Sequence, residues 1–139
     1  MKSDDTTNTL SIMIADSHSL FREKIKEVLT NNKKNIKVVA EVDAESNIET
    51  IIQEKRPDLL ILDIAFLRGS GKELLKSLKT KYENLKIVIL NDDANPEYAK
   101  FSYFLGAHGV CVKDRIVFDL RNIVKSLFKE VGFKKRGNE

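Results

Sequence analysis

Acidic and basic side chains follow the short apolar runs of this sequence, in a pattern suited to chemistry on a phosphate or a metal ion. Asp16 follows the apolar run 10–15, and Asp63 follows the run 59–62, so each carboxylate stands where a buried strand would end. Lys113 follows another short apolar run. Two carboxylates can hold a hard divalent cation such as Mg²⁺, and an ammonium can offset the charge of a phosphoryl group.

Several of these residues also have a purely structural interpretation. Asp16 could cap the helix that follows it, and Lys113 could be an ordinary surface residue. Asp63 has fewer alternatives, because a carboxylate directly after the segment LLIL is costly unless it is exposed or paired. His18 and His108 have no partner at the spacing of a zinc site or a nucleophile, so we expect both to be structural or solvent-exposed.

The elements that would position these side chains alternate between apolar runs and amphipathic segments. Strands are predicted at 10–15, 36–42, 59–62, 86–90 and 110–112, and helices at 20–30 (with Ser19 as N-cap), 45–55, 74–82, 97–105 and 117–131. Strands that are apolar throughout and alternate with helices indicate a parallel sheet covered on both faces. Functional groups in such sheets gather beyond the carboxyl ends of the strands, so we expect Asp16, Asp63 and Lys113 to converge, with Asn91 and Asp92 nearby.

Length and composition favour one soluble domain. The 139 residues carry 24 Lys and Arg against 21 Asp and Glu, and a net charge of +3 is too small to indicate nucleic-acid binding. No apolar run approaches the roughly 20 residues of a membrane-spanning helix, and the polar N-terminus does not resemble a signal peptide, so we expect a cytoplasmic location and no membrane partner. Cys111, the single cysteine, lies in an apolar run and is expected in the core.

We expect a loose lead-in over residues 1–9, one domain over 10–131 and a basic tail over 132–139. The tail is either a solvated end or the start of a linker.

Three segments resemble the receiver domains of bacterial two-component response regulators. They are Ile14 to Arg22 (IADSHSLFR), Arg56 to Leu75 (RPDLLILDIAFLRGSGKELL) and Lys86 to Asp114. The resemblance extends from about residue 10 to residue 131 and is closest to the NarL/FixJ-like subfamily, whose output domain is a helix-turn-helix. It implies an α/β fold of the flavodoxin-like (CheY-like) type, a doubly wound parallel sheet of five strands in the order 2-1-3-4-5 with (βα)5 connectivity.

The resemblance also implies a role for individual residues. Asp63 falls on the aspartate that accepts a phosphoryl group from a histidine kinase or phosphotransfer protein, and Lys113 on the lysine that pairs with the phosphoryl oxygens. Asp16 falls on an acid that helps to hold Mg²⁺ together with Asp63. Ala65 falls where a backbone carbonyl completes the metal site. Such a domain is a phosphoacceptor rather than an enzyme.

Several positions depart from the family pattern. Ser17 replaces the second acid of the metal site, which predicts weaker Mg²⁺ binding, although a hydroxyl or water can substitute. Asn91 occupies the position of the switch hydroxyl, where its amide can still donate to a phosphoryl oxygen, and Asp92 replaces a small residue and adds negative charge. Val110 replaces the switch aromatic, and Phe66-Leu67 replaces a Met-Pro pair. The family's switch is therefore expected to be impaired.

Two functions remain open from the sequence. The first is a phosphorylated receiver that signals through the face of the fourth helix, fifth strand and last helix, where Phe101, Tyr103 and Phe104 are candidate contacts and at least one is expected in the core. The second is a pseudo-receiver that binds a partner, or itself as a homodimer, without phosphorylation. Nucleic acid is expected only through an output domain absent from this chain.

Two other classes fit poorly. A phosphatase of the haloacid dehalogenase type needs a second acid where Ala65 stands, and a nucleotide-binding fold would need a glycine-rich loop after the first strand.

Overall fold

A computed structural model describes residues 9–31, 35–44, 47–68, 71–92 and 95–129. Five strands pair in parallel, and each is apolar along most of its length, as a strand covered on both faces must be. The strands are β1 Leu10–Ala15, β2 Ile36–Val42, β3 Leu59–Asp63, β4 Lys86–Asn91 and β5 Gly109–Val112. Their order in the sheet is β2-β1-β3-β4-β5, which confirms the doubly wound, flavodoxin-like topology expected from the sequence.

Helices cover both faces of this sheet. They are α1 Ser19–Thr30, α2 Ile48–Lys55, α3 Gly71–Lys81, α4 Pro96–Leu105 and α5 Ile116–Leu127, and short 3-10 turns at Ile64–Leu67 and Lys113–Arg115 follow β3 and β5. The apolar stripes of α1 and α5 pack on one face, and those of α2, α3 and α4 pack on the other. None of the helices in the described part combines the length and apolar character that crossing a bilayer requires.

Most element boundaries agree with the sequence patterns. In α4, the Asn95 side chain accepts a hydrogen bond from the Glu97 amide (2.9 Å), Pro96 is the first residue, and Gly106 ends the helix in a left-handed conformation (φ 115°).

The expectation that Ser19 caps α1 is wrong, because α1 begins at Ser19 and its N-cap is His18, whose side chain makes no capping bond. The predicted residues 45–46 and 130–131, most of the lead-in and the basic tail lie outside the described residues.

The aromatic side chains of α4 correct a second expectation. Phe101, Tyr103 and Phe104 are all exposed, so none of the three lies in the core. The residues that α4 buries are Ser102 and Leu105, which are three positions apart and form the stripe facing the sheet. The aromatic rings therefore stand on the remaining surface of α4.

Cys111 and His108 both have a structural role. Burial raises the pKa of the Cys111 thiol to about 11, which keeps it protonated and unreactive at neutral pH. His108 Nδ1 accepts a hydrogen bond from the Ile87 amide (3.1 Å), and the His108 amide donates to the Ile87 carbonyl (2.7 Å). Burial, followed by the positive charges of Lys79 and Lys86, lowers the pKa of His108 below its usual 6.5.

Gly71 packs the start of α3 against the turn after β3. A Cβ atom at Gly71 would overlap the carbonyl oxygen of Phe66, so the close approach requires a residue without a side chain. This contact fixes the turn that follows Asp63.

We therefore expect Gly71→Ala to destabilise the protein by about 1–3 kcal/mol, the usual cost of overpacking, although Gly→Ala within a helix ordinarily stabilises by about 0.5–1 kcal/mol. Urea denaturation measures the free energy of unfolding, with the exposed Lys76→Ala on α3 as the control. An unchanged or increased stability of Gly71→Ala would contradict the packing described.

The lowered pKa of His108 predicts a specific loss of stability in mild acid. Because the unfolded chain binds this proton more readily, the free energy of unfolding falls as the pH drops below about 6.5, towards the folded-state pKa. His108→Asn keeps an acceptor near the Ile87 amide and removes the titration. Denaturation at several pH values between about 5 and 8 should show a steeper decline for the unmodified chain than for the variant, and parallel curves would refute the prediction.

Candidate functional site

Charged residues lie at the carboxyl ends of three strands, on one side of the sheet. Asp16 directly follows β1, Asp63 is the last residue of β3, and Lys113 directly follows β5. Since β1 and β3 are neighbours in register, with Ala15 opposite Leu62, the two carboxylates emerge side by side. The long side chain of Lys113 reaches them from the other side of β4.

The three groups meet as the sequence predicted. Lys113 Nζ lies 2.9 Å from Asp16 Oδ2 and 3.2 Å from Asp63 Oδ2, to which it donates a hydrogen bond. Asp16 is 0 % exposed and Asp63 is 2 % exposed, while the Lys113 side chain is 15 % exposed. The site is therefore a nearly covered ion cluster that opens to solvent beside the ammonium.

The charges in this cluster stabilise one another against burial. Burial by itself raises the pKa of Asp16, but the backbone N–H of His18 and the ammonium of Lys113 outweigh it, and the pKa is lowered. Burial likewise disfavours the Lys113 ammonium, but the two carboxylates outweigh that cost, and its pKa is raised. Both groups are consequently charged at neutral pH.

The turn after β3 sets the orientation of Asp63. Asp63 Oδ1 accepts a hydrogen bond from the Ala65 amide (3.1 Å), which leaves Oδ2 for Lys113. The carbonyl of Ala65 accepts a longer bond from the Arg68 amide (3.4 Å). The amide of Ala65 therefore faces the carboxylate. That the Ala65 carbonyl binds a metal ion stays a prediction.

The turn after β1 orients Asp16 in a similar way. Asp16 Oδ1 accepts a hydrogen bond from the His18 amide (2.8 Å), two residues along the chain, so Asp16 closes a turn rather than capping α1. Arg22 donates through Nη1 to the carbonyl of Asp16, and its Nε donates to Glu41 Oε1 (3.0 Å). This guanidinium anchors the turn to β2.

Two residues of the site were missed by sequence reasoning. His18 Nδ1 lies 3.2 Å from Asp16 Oδ1, although the His18 side chain is 72 % exposed, as expected of a solvent-facing histidine. The Phe21 ring lies under the Lys113 ammonium, 4.8 Å from Nζ to the ring centroid, which is a cation–π distance. The spacing Asp16-x-His18 across a tight turn was the available signal for the first, and nothing in the sequence pattern indicated the second.

The remaining candidate residues surround the cluster less closely. Asp92 Oδ1 lies 3.8 Å from Lys113 Nζ with its side chain 75 % exposed, so this third carboxylate faces both the site and solvent. Ser17 is exposed and its Oγ lies 3.5 Å from His18 Nδ1. Asn91 is buried as the last residue of β4, and its Oδ1 accepts no hydrogen bond from the part of the chain that the structure describes.

Val110, which the resemblance places at the switch aromatic, is half-buried on the sheet face covered by α2, α3 and α4.

The donors at this edge fit a divalent cation. One ligand atom each from Asp16, His18 and Asp63 lies within 4.8 Å of the others. Asp16 Oδ2 is buried and accepts no hydrogen bond from the described residues, so the Lys113 ion pair is its main compensation. Among the residues that the structure describes, Lys113 is the ammonium that contacts all three carboxylates, and a cation would offset the negative charge that remains.

Comparison with known proteins gives a consistent result. The response regulator receiver domain family matches residues 12–127. The Fimbriae Z protein of Salmonella typhimurium is 32 % identical over 123 residues, which cover 88 % of this chain and 58 % of that protein. The transcriptional regulatory protein DegU of Brevibacillus brevis is 28 % identical over 107 residues, covering 77 % of this chain and 45 % of that protein. The chain thus spans about half the length of these curated relatives.

Solved structures share the fold. The isolated REC domain of RcsB from Salmonella enterica serovar Typhimurium, solved with the phosphomimetic BeF3⁻, superposes with a TM-score of 0.77 at 23 % identity, covering 92 % of this chain and 94 % of that one. The relatives include several proteins named as transcriptional regulators, which agrees with the resemblance to the NarL/FixJ-like subfamily. With its five-stranded topology and the match over most of its length, the chain belongs to the receiver domain family of two-component response regulators.

Proposed function

We propose that Asp63 accepts a phosphoryl group from a histidine kinase or phosphotransfer protein. The observation that supports this most strongly is the position of the Lys113 ammonium, which contacts Asp63 Oδ2 and Asp16 Oδ2 together. An ammonium fixed at the acceptor oxygen is placed to stabilise the negative charge that a transferred phosphoryl group brings. Asn91, at the end of the neighbouring strand β4, is the proposed switch residue.

In the proposed reaction, an ionised oxygen of Asp63 attacks the phosphorus atom. A P–O bond forms as the P–N bond of a phosphohistidine donor breaks, and the imidazole nitrogen retains the electron pair of that bond. Lys113 then exchanges its contact with the Asp63 carboxylate for one with a phosphoryl oxygen. Mg²⁺, when bound by Asp16 and Asp63 with the Ala65 carbonyl and with Ser17 in place of the second acid, would neutralise phosphoryl charge.

Access to Asp63 requires a local rearrangement. The carboxylate is 2 % exposed and Lys113 covers its Oδ2, so a donor reaches it only when the ammonium moves aside. Asp92, on the solvent side of the same ammonium, repels an incoming anionic donor. We infer that Lys113 and Asp92 together set the rate of transfer.

The proposed output surface is the α4–β5–α5 face. It presents exposed apolar side chains, among them Tyr103 and Phe104 of α4 and Phe118 of α5, which would contact a partner or a second copy of the chain. One solved relative is described as RcsB dimers bound to DNA. By analogy, we include homodimerisation in the proposal. Contact with DNA would need an output domain outside this chain. The proposed location is the cytoplasm.

A second candidate is a pseudo-receiver that uses the same fold for phosphorylation-independent binding. The position of Asp92 favours it, because a carboxylate already stands 3.8 Å from the ammonium that a phosphoryl group would engage. The absence of an aromatic at Val110 favours it as well, since the usual coupling to the output face lacks its moving side chain.

Phosphorylation of the chain distinguishes the two functions. Incubation with acetyl phosphate and a divalent cation should add one phosphoryl group, detected by intact-mass spectrometry and removed by hydroxylamine, as expected of an acyl phosphate. Asp63→Asn should abolish the modification, whereas Asp43→Asn, which changes an exposed aspartate just after β2, should not. An unmodified chain would favour the pseudo-receiver, and modification that persists in Asp63→Asn would place the acceptor elsewhere.

Charge substitutions test the proposed control of rate. A unit charge about 4 Å away in water-like surroundings contributes about 1 kcal/mol, so Asp92→Asn should accelerate phosphorylation roughly fivefold. Lys113→Met should slow it by about 100-fold, the usual effect of losing a group that stabilises developing charge.

Glu83→Gln, the same charge change as Asp92→Asn at an exposed residue between α3 and β4, is the control. Equal rates for Asp92→Asn and the unmodified chain would contradict the role given to Asp92.

A further inference from the structure

A cleft lies between α4 and the turn that follows β3. We propose that this cleft binds a small molecule that carries a planar aromatic ring and one carboxylate. The inference goes beyond the proposed function, because phosphoryl transfer uses none of the residues lining the cleft except Asp92, which lies between the two sites.

The cleft has the size and the apolar surface of a small-molecule site. Its volume is about 490 Å³, and ligand pockets typically enclose about 300–1,000 Å³. Leu67, which is 3 % exposed, and the partly buried Ile64 line it from the turn after β3. Because the close contact of Gly71 with Phe66 fixes this turn, that side of the cleft is formed before any ligand binds.

The opposite wall is aromatic and comes from α4. Tyr98 and Phe101 both line the cleft, and their spacing of three residues places them on one face of the helix. Their side chains are 46 % and 38 % exposed, so each ring leaves apolar surface in contact with solvent. A flat aromatic ligand would cover that surface by stacking.

Basic side chains provide the charged part of the cleft. Arg68, at the end of the turn after β3, and Lys72, in the first turn of α3, both line it. Lys72 Nζ lies 5.5 Å from the centroid of the Phe101 ring, so an ammonium already stands beside the aromatic wall. Neither cation pairs with a carboxylate among the residues that the structure describes. Both are therefore available for the carboxylate of a ligand, which a guanidinium can bind through two hydrogen bonds.

Asp92 limits the charge that the ligand can carry. It lines the same cleft, its side chain is 75 % exposed, and its Oδ1 lies 3.8 Å from Lys113 Nζ. One carboxylate on the ligand would meet Arg68 and Lys72, whereas a second negative charge would be repelled by Asp92. The position of Asp92 also means that a bound ligand would change the surroundings of the Lys113 ammonium.

A second cleft, at the opposite end of the strands, provides an internal comparison. Its volume is about 310 Å³, and it too combines a cation with an aromatic ring, since the Arg56 guanidinium lies 5.8 Å from the centroid of the Tyr82 ring. Its other cation, Lys81, is paired with Glu49 (2.7 Å), and Glu83 adds negative charge to the lining. General attraction of an aromatic anion to the protein would involve both clefts, whereas the proposed site involves only the first.

Nuclear magnetic resonance titration of the full chain with 2-naphthoate tests the proposal. We expect a Kd of about 1 mM or below, as the size of this probe allows. The backbone amide signals of Leu67 and Phe101 should shift, and that of Tyr82 should not.

Two further probes test the required charge. The neutral 2-naphthalenemethanol should bind at least about fivefold more weakly than 2-naphthoate, because it lacks the charge that Arg68 and Lys72 would contact. Adenosine 5′-monophosphate, an aromatic dianion, should also bind more weakly than 2-naphthoate, because its second charge would be opposed by Asp92.

Matched variants test the residues of the cleft. Phe101→Ala should weaken 2-naphthoate binding roughly three- to tenfold through the loss of stacking, and Lys72→Gln should weaken it about fivefold through the loss of one charge. The controls are Phe104→Ala and Lys76→Gln, which make the same changes at exposed positions outside the cleft and should leave the affinity unchanged.

Several results would overturn the proposal. These are no detectable binding of 2-naphthoate, equal or tighter binding of the neutral alcohol or of the nucleotide, shifts confined to the second cleft, and an unaltered affinity in both Phe101→Ala and Lys72→Gln. None of these measurements involves phosphorylation, so their failure would leave the proposed function of Asp63 standing.

Discussion

The ammonium of Lys113, shared between two buried carboxylates, is the interaction on which the site depends. Asp16 and Asp63 are both buried, and removing this positive charge would leave their carboxylates without the partner that offsets their burial. The cluster is nonetheless unbalanced, because Asp92 brings a third carboxylate to the same ammonium. An unbalanced, nearly covered cluster has the electrostatic character of a place where ions bind and groups are transferred.

The chain uses the same local device twice to build this cluster. After β1 and after β3, an aspartate accepts a hydrogen bond at Oδ1 from the amide two residues further on, namely from His18 and from Ala65. Each turn leaves the Oδ2 atom directed to Lys113. Since β1 and β3 are adjacent parallel strands, the repeated turn places equivalent oxygens side by side, and the sheet converts two local motifs into one site.

Much of this arrangement was predictable because it follows from strand ends. Apolar runs bounded by charged residues indicated both the parallel sheet and the edge at which Asp16, Asp63 and Lys113 would meet. The direction of Asp92 was not predictable, since a loop residue next to a strand end can face either the site or solvent and here does both.

The other features that the sequence did not reveal depend on a local turn, on long-range packing and on the buried stripe of α4. The approach of His18 to Asp16 depends on a turn formed by two neighbouring residues, which periodicity does not reveal. The contact of Phe21 with Lys113 joins α1 to the end of β5, and such long-range side-chain pairing follows only from the packed structure. The exposure of the α4 aromatics was misjudged because the buried stripe of α4 consists of Ser102 and Leu105, so a polar residue rather than a ring faces the sheet.

A crystal structure of the chain with beryllium fluoride and a divalent cation tests the central claim most directly. We expect a beryllium fluoride adduct on Asp63, with Lys113 Nζ moved from the carboxylate to within hydrogen-bonding distance of the adduct. An Asp63 that stays unmodified under saturating beryllium fluoride, with Lys113 still on both carboxylates, would contradict a phosphoryl-acceptor site.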